Sequence, residues 1–265
     1  MRCENKKEER EGMRFKNKYN EWYTIIKYYD ANNVIVKFDN GYSYKISWKQ
    51  IKVGTVHSPY AKTVYNVGYI GEGEYRPYIK KGEESIEYKI WNGLLRRNYD
   101  PYTLNKKSWY RDCFVEEDLF NFQNFCKWHN ENYYEVPNDR MELDKDILCK
   151  GNKIYSKDTM IYVPRRINIL FTRNNTRRGE YPIGVSPHKA SGKLEVSCSI
   201  LDENGNKKNK YLGLFPIDKP FQAFTCYKQF KENYIKEVAD EYYSKGLIPK
   251  KLYDALYRYE VEIND

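Results

Sequence analysis

Leu143-Asp144-Lys145-Asp146-Ile147, followed by Tyr155-Ser156 and closed by Val163-Pro164-Arg165-Arg166-Ile167-Asn168, is the stretch on which the reading of this chain turns. Two carboxylates flank a lysine, and two arginines stand just ahead of an isoleucine and an asparagine. Lysine has an unperturbed pKa of about 10.4, so it is a cation at neutral pH and no proton acceptor. What surrounds this stretch decides what its charges are for.

The whole chain is basic. Its 265 residues carry a formal net charge of +9 with a pI near 9.0, a balance that points to a polyanionic partner, most often nucleic acid. The hydrophobic share is 40%, but aromatics reach 17% with 28 tyrosines, enough to fill two or three small β-rich cores and to offer stacking surfaces for bases. No apolar run approaches the roughly 18–20 residues that span a bilayer, so no membrane partner is expected. Met1 to Lys16 is too charged for a secretory signal, and a cytoplasmic location is expected. The six cysteines (Cys3, Cys113, Cys126, Cys149, Cys198 and Cys226) form no CxxC pair; free thiols are expected and a structural zinc is not. Three histidines, His57, His129 and His188, limit both metal binding and general-base catalysis. Without a GxxxxGKS or GxGxxG stretch, no nucleotide cofactor is expected.

Along the chain, residues 1–11 are charged and aperiodic, and disorder is expected there. Residues 12–56 read as short strands: Glu21 to Tyr29, then Asn33 to Phe38, a turn at Asp39-Asn40-Gly41, and a return at Tyr42 to Ile46. One apolar face in a meander of this length predicts a small SH3-like β-barrel. Residues 57–85, with Ser58-Pro59, Gly68, Gly71-Glu72-Gly73 and Lys81-Gly82, read as a linker. Helical spacing predicts one helix from about Ser85 to Arg97 and another from about Glu116 to Asn132, with Trp109 to Val115 extended between them.

Tyr88-Lys89-Ile90-Trp91, Tyr110-Arg111-Asp112, Phe122, Phe125 and Trp128 precede the Leu143–Ile147 stretch in an order that resembles phage-encoded HNH-type homing endonucleases. The resemblance covers roughly residues 86–172. It implies a ββα core, a β-hairpin feeding a helix around one metal ion that stabilises charge on the scissile phosphate, with an imidazole as general base. Carried over residue by residue, Asp144 and Asn168 hold the ion, Asp146 adds a carboxylate, and Lys145 stands where the base belongs. Thr159 replaces the asparagine that pins the loop. The cofactor implied is Mg²⁺ or another divalent cation, and His129 is the alternative base. The core is therefore read as degenerate, weak or inactive as a metal-dependent nuclease, with Lys145, Lys150, Lys153, Lys157, Arg165 and Arg166 on phosphates.

Residues 173–265 give a second resemblance. A strand starting at Gly179 to Val185, an alternating Lys193 to Ile200, a turn at Asp202 to Asn206, and Lys210 to Phe215 precede a helix capped by Asp218 and carrying Phe221, Phe224, Tyr227 and Ile235. This order is similar to the DNA-binding domain of plant ethylene-response factors, whose sheet lies in the major groove. It implies double-stranded DNA as partner, with Arg173, Arg177, Arg178, Lys189, Lys193, Glu195, Ser197 and Lys210 near it. Residues 173–236 hold twelve Lys and Arg against six Asp and Glu, which concentrates the excess charge here. The tail from Ile248 reads as a short helix and a final strand. The expected fold is α+β: barrel, HNH-like core with flanking helices, and three-stranded sheet plus helix. The expected function is DNA binding, with two alternatives, an active site-specific nickase and an anti-defence protein that occupies a host nuclease or its nucleic-acid groove.

Overall fold

Apolar and polar residues alternate through Trp22–Asp30 and Asn33–Phe38, and the inward set (Tyr23, Ile25, Tyr28, Val34, Val36 and Phe38) is buried. These strands are β2 and β3 of an antiparallel meander, with β1 (Arg14–Lys16) and β4 (Ser43–Ile46) outside them in the order β1-β2-β3-β4. Helix α1 (Trp48–Val53) follows, and its Ile51 completes the core. In a computed structural model that describes residues 7–171, 180–201 and 206–263, the chain is a mixed α+β protein of two compact units, Met1–Glu131 and Asn132–Asp265. The division falls inside the stretch 86–172 expected to form one core. Among the described residues no sheet closes into a barrel, and the meander is an open one.

The expectations for residues 1–11 and 57–85 are corrected. Residues 7–11 are ordered: Arg10 Nη1 donates to the Tyr28 hydroxyl (2.7 Å), its guanidinium lies 3.9 Å over the Trp48 ring, and Glu11 Oε1 accepts from Tyr28 N–H (2.9 Å). The remaining residues 1–6 lie outside the described residues. The stretch 57–85 is packed rather than a linker. Ser58 is buried and donates to Glu21, whereas Gln123 takes up Ile70, Tyr75 and the Tyr75 amide through three hydrogen bonds of 3.0–3.1 Å. Short strands β5 (Tyr78–Lys80) and β6 (Glu83–Glu84) end that stretch.

Helix α2 (Ile86–Tyr99) is capped by Ser85 and buries Trp91, Leu94, Leu95 and Asn98 along one side; α3 (Pro101–Lys106) continues after Asp100. Residues 108–115 are not one extended piece: a 3₁₀ turn occupies Ser108–Tyr110, and only β7 (Phe114–Val115) is strand. The next helix, α4 (Phe122–Asn132), starts six residues later than its periodicity predicts. Tyr69 donates to Phe120 C=O and accepts from Phe122 N–H, each at 2.9 Å, and this bridge holds Asn121 in extended backbone.

The second unit is assembled on one long helix. β8 (Met141–Asp144) pairs antiparallel with β10 (Ile161–Pro164), Asp144 opposite Ile161 and Glu142 opposite Val163; the short β9 (Ile154–Tyr155) lies between them in sequence, and helix α5 (Arg165–Asn168) follows directly. A sheet of order β11-β12-β13 comes next, from Val185–His188, Lys193–Leu201 and Lys207–Phe215. Its first strand begins at Val185, after the Gly184 turn, rather than at Gly179. Helix α6 (Pro220–Ser244) starts at proline after Lys219, so Asp218 is not its cap; proline already supplies a helical φ at the first position. Its buried residues Ala223, Tyr227, Lys231, Ile235, Ala239 and Tyr242 form one stripe. The first two join Val185, Leu194, Val196 and Cys198 of the sheet, and the last three join Val163, Ile167 and Leu252.

Helix α7 (Lys250–Tyr257) is present as expected, but no strand follows it among the described residues. The tail is held by side chains of α6 instead: Lys228 Nζ donates to Val261 C=O (2.9 Å), and Val261 N–H donates to Glu232 (2.8 Å). No helix among the described residues is long and apolar enough to cross a membrane.

Gly184 sets the distance between sheet and helix. Its φ is +75°, and a Cβ there would enter the Tyr227 ring. Gly184→Ala is expected to destabilise the second unit by about 2–3 kcal/mol, from overpacking added to left-handed strain. Gly192→Ala, at φ +65° with nothing near the added carbon, carries the strain alone and should lose clearly less. Urea midpoints of the two variants check this, and equal losses would contradict the close packing.

Candidate functional site

β8 carries Glu142 and Asp144 two residues apart, hence on the same face of the strand, and α5 brings Asn168 up to it. Asn168 Nδ2 donates to Glu142 Oε2 (2.7 Å), not to Asp144. Glu142 also accepts from Arg140 (2.6 Å) and lies 3.8 Å from Arg165. Burial would raise the Glu142 carboxyl, but the hydrogen bonds from Asn168 and Arg140 and the charges of Arg140 and Arg165 outweigh it and hold it below the usual range. Glu142 is thus a member of this cluster that the motif reading missed; its spacing of two from Asp144 on a strand was the available signal.

Asp144 turns the chain out of β8. Its Oδ1 accepts from the backbone N–H of Asp146 and of Ile147, both at 2.8 Å. Burial first, then the neighbouring charge of Asp146, pushes its carboxyl up to about 6. Lys145 Nζ contacts Asp146 Oδ2 at 3.1 Å and lies 5.7 Å from the centre of the Tyr155 ring, with only 11% of its side chain exposed. The loop behind it is pinned by Asn152, whose Nδ2 donates to Lys145 C=O (2.8 Å) and Ile154 C=O (2.7 Å) while Oδ1 accepts from Ile154 N–H (3.1 Å). Thr159, expected at the pinning position, donates to Ile154 C=O (2.8 Å) and caps the Ser156 turn. Two residues therefore share the role expected of one.

Of the three expected metal ligands, Asp144 bonds two backbone amides through Oδ1, Asp146 meets the Lys145 ammonium through Oδ2, and Asn168 gives its Nδ2 to Glu142. Among the described residues, no three of His, Cys, Asp and Glu cluster to hold a metal. Asp144 and Asp146 are close enough for the charge of one to raise the carboxyl of the other. His129 sits in α4 of the first unit, 3% exposed and stacked on Phe125. Burial lowers its pKa, with Glu87 acting in the opposite sense.

The expected phosphate contacts divide into committed and available cations. Lys150 donates to Glu260 C=O (2.7 Å), pairs with Glu262 (3.5 Å) and covers the Tyr259 ring. Arg165 leans towards Glu142, and Arg166 is half-buried with its backbone N–H on Asp139. Lys153 and Lys189 are exposed, whereas Arg173, Arg177 and Arg178 lie outside the described residues. On the sheet, Lys193, Lys207, Lys208 and Lys210 are all exposed and make no ion pair among the described residues. Lys207 and Lys208, which alternation alone does not single out, lengthen this run.

A bulge sets which way these side chains leave the sheet. Val196 pairs with Gly213 and Ser197 with Tyr211, so Leu212 is an extra residue and the alternation of β13 shifts. Tyr211, 57% exposed, shares the outer face with Glu195 and Ser197. Lys210 lies opposite the buried Cys198 and so leaves on the helix side, not on the outer face where the sequence pattern puts it. β13 is an edge strand, and its lysines emerge on both sides of that edge.

No family model, curated protein or solved structure matches the chain.

A carboxyl whose native pKa lies above its unfolded value binds more protons when folded, so Asp144 makes stability fall as pH rises from about 4 to about 6. The expected loss over that window is on the order of 2 kcal/mol. Asp144→Asn keeps an oxygen for the two backbone amides and should remove this component. Urea unfolding at pH 4.5 and pH 7 measures it; equal pH dependence in wild type and variant would place the titration elsewhere.

Proposed function

We propose that this protein binds double-stranded DNA through the β13 edge of its C-terminal sheet, and that its hairpin–helix is a degenerate HNH-type core without effective nuclease activity. In this reading the N-terminal meander is an SH3-like module, and the C-terminal sheet and helix are the counterpart of an ethylene-response-factor DNA-binding domain of phage origin. The observation that carries the binding half is the run Lys207-Lys208-Asn209-Lys210-Tyr211, exposed throughout and free of acidic partners among the described residues. Lysines so placed gain from releasing the counterions condensed on DNA, while Tyr211 offers an exposed ring beside them. Lysine on an edge strand also blocks pairing with other sheets, a role that needs no DNA.

The nuclease half rests on Lys145. An ion-paired ammonium has no lone pair for a water proton, and Asp146 and Asn168 already bond Lys145 and Glu142. The fold positions these groups as a structural corner, with Asp144 turning the chain and Asn168 tying α5 to β8.

Fluorescence anisotropy on a labelled duplex, across a salt series with Mg²⁺ present, tests both halves. Wild type should bind with a steep salt dependence and leave the duplex uncut. Replacing Lys207, Lys208 and Lys210 together by glutamine should reduce the slope of log K against log salt by about two to three and weaken binding by more than tenfold. An unchanged slope would leave these lysines as edge protection only, and Mg²⁺-dependent cleavage would overturn the inactive-core reading.

A further inference from the structure

A concavity with no Lys or Arg in its lining lies in the first unit. Asn40 and Gly41 of the turn between β3 and β4, together with Tyr42, Ser43, Tyr60 and Glu72, line an open concavity of about 800 Å³. That size falls within the range of small-ligand sites. Two tyrosine rings make its corner: Tyr42 and Tyr60 stand 6.5 Å apart at 83° to each other. Tyr44 lies against Tyr42 at 5.5 Å and Tyr69 against Tyr60 at 6.1 Å, so the corner is backed by further rings.

The polar element is a carboxylate. Tyr60 Oη donates to Glu72 Oε1 at 2.6 Å, which fixes the acid beside the rings and leaves Oε2 available. Glu72 has no cationic partner among the described residues, although the chain as a whole is strongly basic. The same contact raises the Tyr60 phenol above its ordinary pKa, as expected for a hydroxyl beside an uncompensated negative charge. The frame is built in. Asn40 Oδ1 accepts from Tyr42 N–H (3.0 Å), Gly41 takes φ +91°, and Gly71 N–H donates to Pro59 C=O (2.9 Å), which anchors the loop carrying Tyr60 and Glu72.

Aromatic faces attract cations, and a carboxylate at their rim adds a charge-assisted hydrogen bond. The free oxygen decides which cation. A guanidinium is best held by both oxygens of a carboxylate, and at one of these it would share the acceptor with Tyr60. An alkylammonium needs one acceptor for its N–H and apolar faces for its carbon substituents, which is what this corner presents.

We propose that the concavity lined by Tyr42, Tyr60 and Glu72 binds an alkylammonium group, with the ammonium N–H on Glu72 and its methyl or methylene groups on the two rings. A dimethylated lysine side chain on a partner protein satisfies both requirements at once, having one N–H and two methyl groups. A free polyamine carries the same chemistry, so the test separates these two sources. The site repels phosphate and is independent of the DNA-binding reading.

Isothermal titration of the full chain with short peptides carrying dimethyl-lysine, acetyl-lysine or arginine at one position, and with spermidine, tests the proposal. The dimethyl-lysine peptide should bind at least about tenfold more tightly than the acetyl-lysine and arginine peptides. Spermidine binding in place of the peptide would support the site and assign its ligand to free amines. Glu72→Gln should abolish the preference for a cation. Tyr60→Phe keeps the ring and frees the second carboxylate oxygen, so it should strengthen the arginine peptide relative to dimethyl-lysine, and it serves as the test if Glu72→Gln misfolds. Absence of binding by any ammonium, equal binding of the neutral acetyl-lysine peptide, or indifference to both substitutions would overturn it.

Discussion

The second unit depends on the burial of one stripe of α6, the face formed by Ala223, Tyr227, Lys231, Ile235, Ala239 and Tyr242. Spacings of four and three residues keep these side chains on one line of a helix about 37 Å long. Its first part closes the sheet and its last part closes the hairpin, so two small cores share one wall. Lys231 sits where the two meet, only 8% exposed. Burial pushes its ammonium pKa down, and the nearby Cys198 opposes that shift. Neither β8-β10 nor β11-β12-β13 has enough apolar area to stand alone; a shared helix is the inexpensive solution for small sheets.

Fixing both sheets to one helix has an electrostatic consequence. In the hairpin most cations have local partners, Lys145 with Asp146, Lys150 with the C-terminal tail, Arg140 and Arg165 with Glu142, while Lys153 is exposed. In the sheet the acids are few and the lysines of β13 remain unpaired among the described residues. In the proposed function the hairpin is the support and the β13 edge the part that grips. A charge that already has a partner contributes little to holding phosphate, because it must be stripped before it can be used.

Much of the architecture was legible in the sequence because it rests on period. Alternation in Asn33–Phe38 and Lys193–Leu201, and the four-residue spacing from Ala223 to Ala239, each mark one buried face. What failed was governed by partners distant in sequence. Asn121 is extended because Tyr69 bridges it, and residues 57–85 are packed because Gln123 and Glu21 satisfy their polar groups. The β13 bulge moved Lys210 across the sheet, and no local pattern announces where an extra residue will be tolerated. The site was legible as a list of residues and not as a geometry. No motif announces that Asn168 bonds Glu142, that Asp146 meets Lys145, or that Asp144 turns the chain through two backbone amides.

In the proposed function DNA meets this chain at the β13 edge and not at the hairpin. Hydrogen–deuterium exchange of the free and the duplex-saturated protein locates the contact directly. Protection gained at residues 207–211, with exchange across residues 144–155 unchanged, is the result this account predicts. Protection centred on residues 144–155 with β13 unaffected would contradict it.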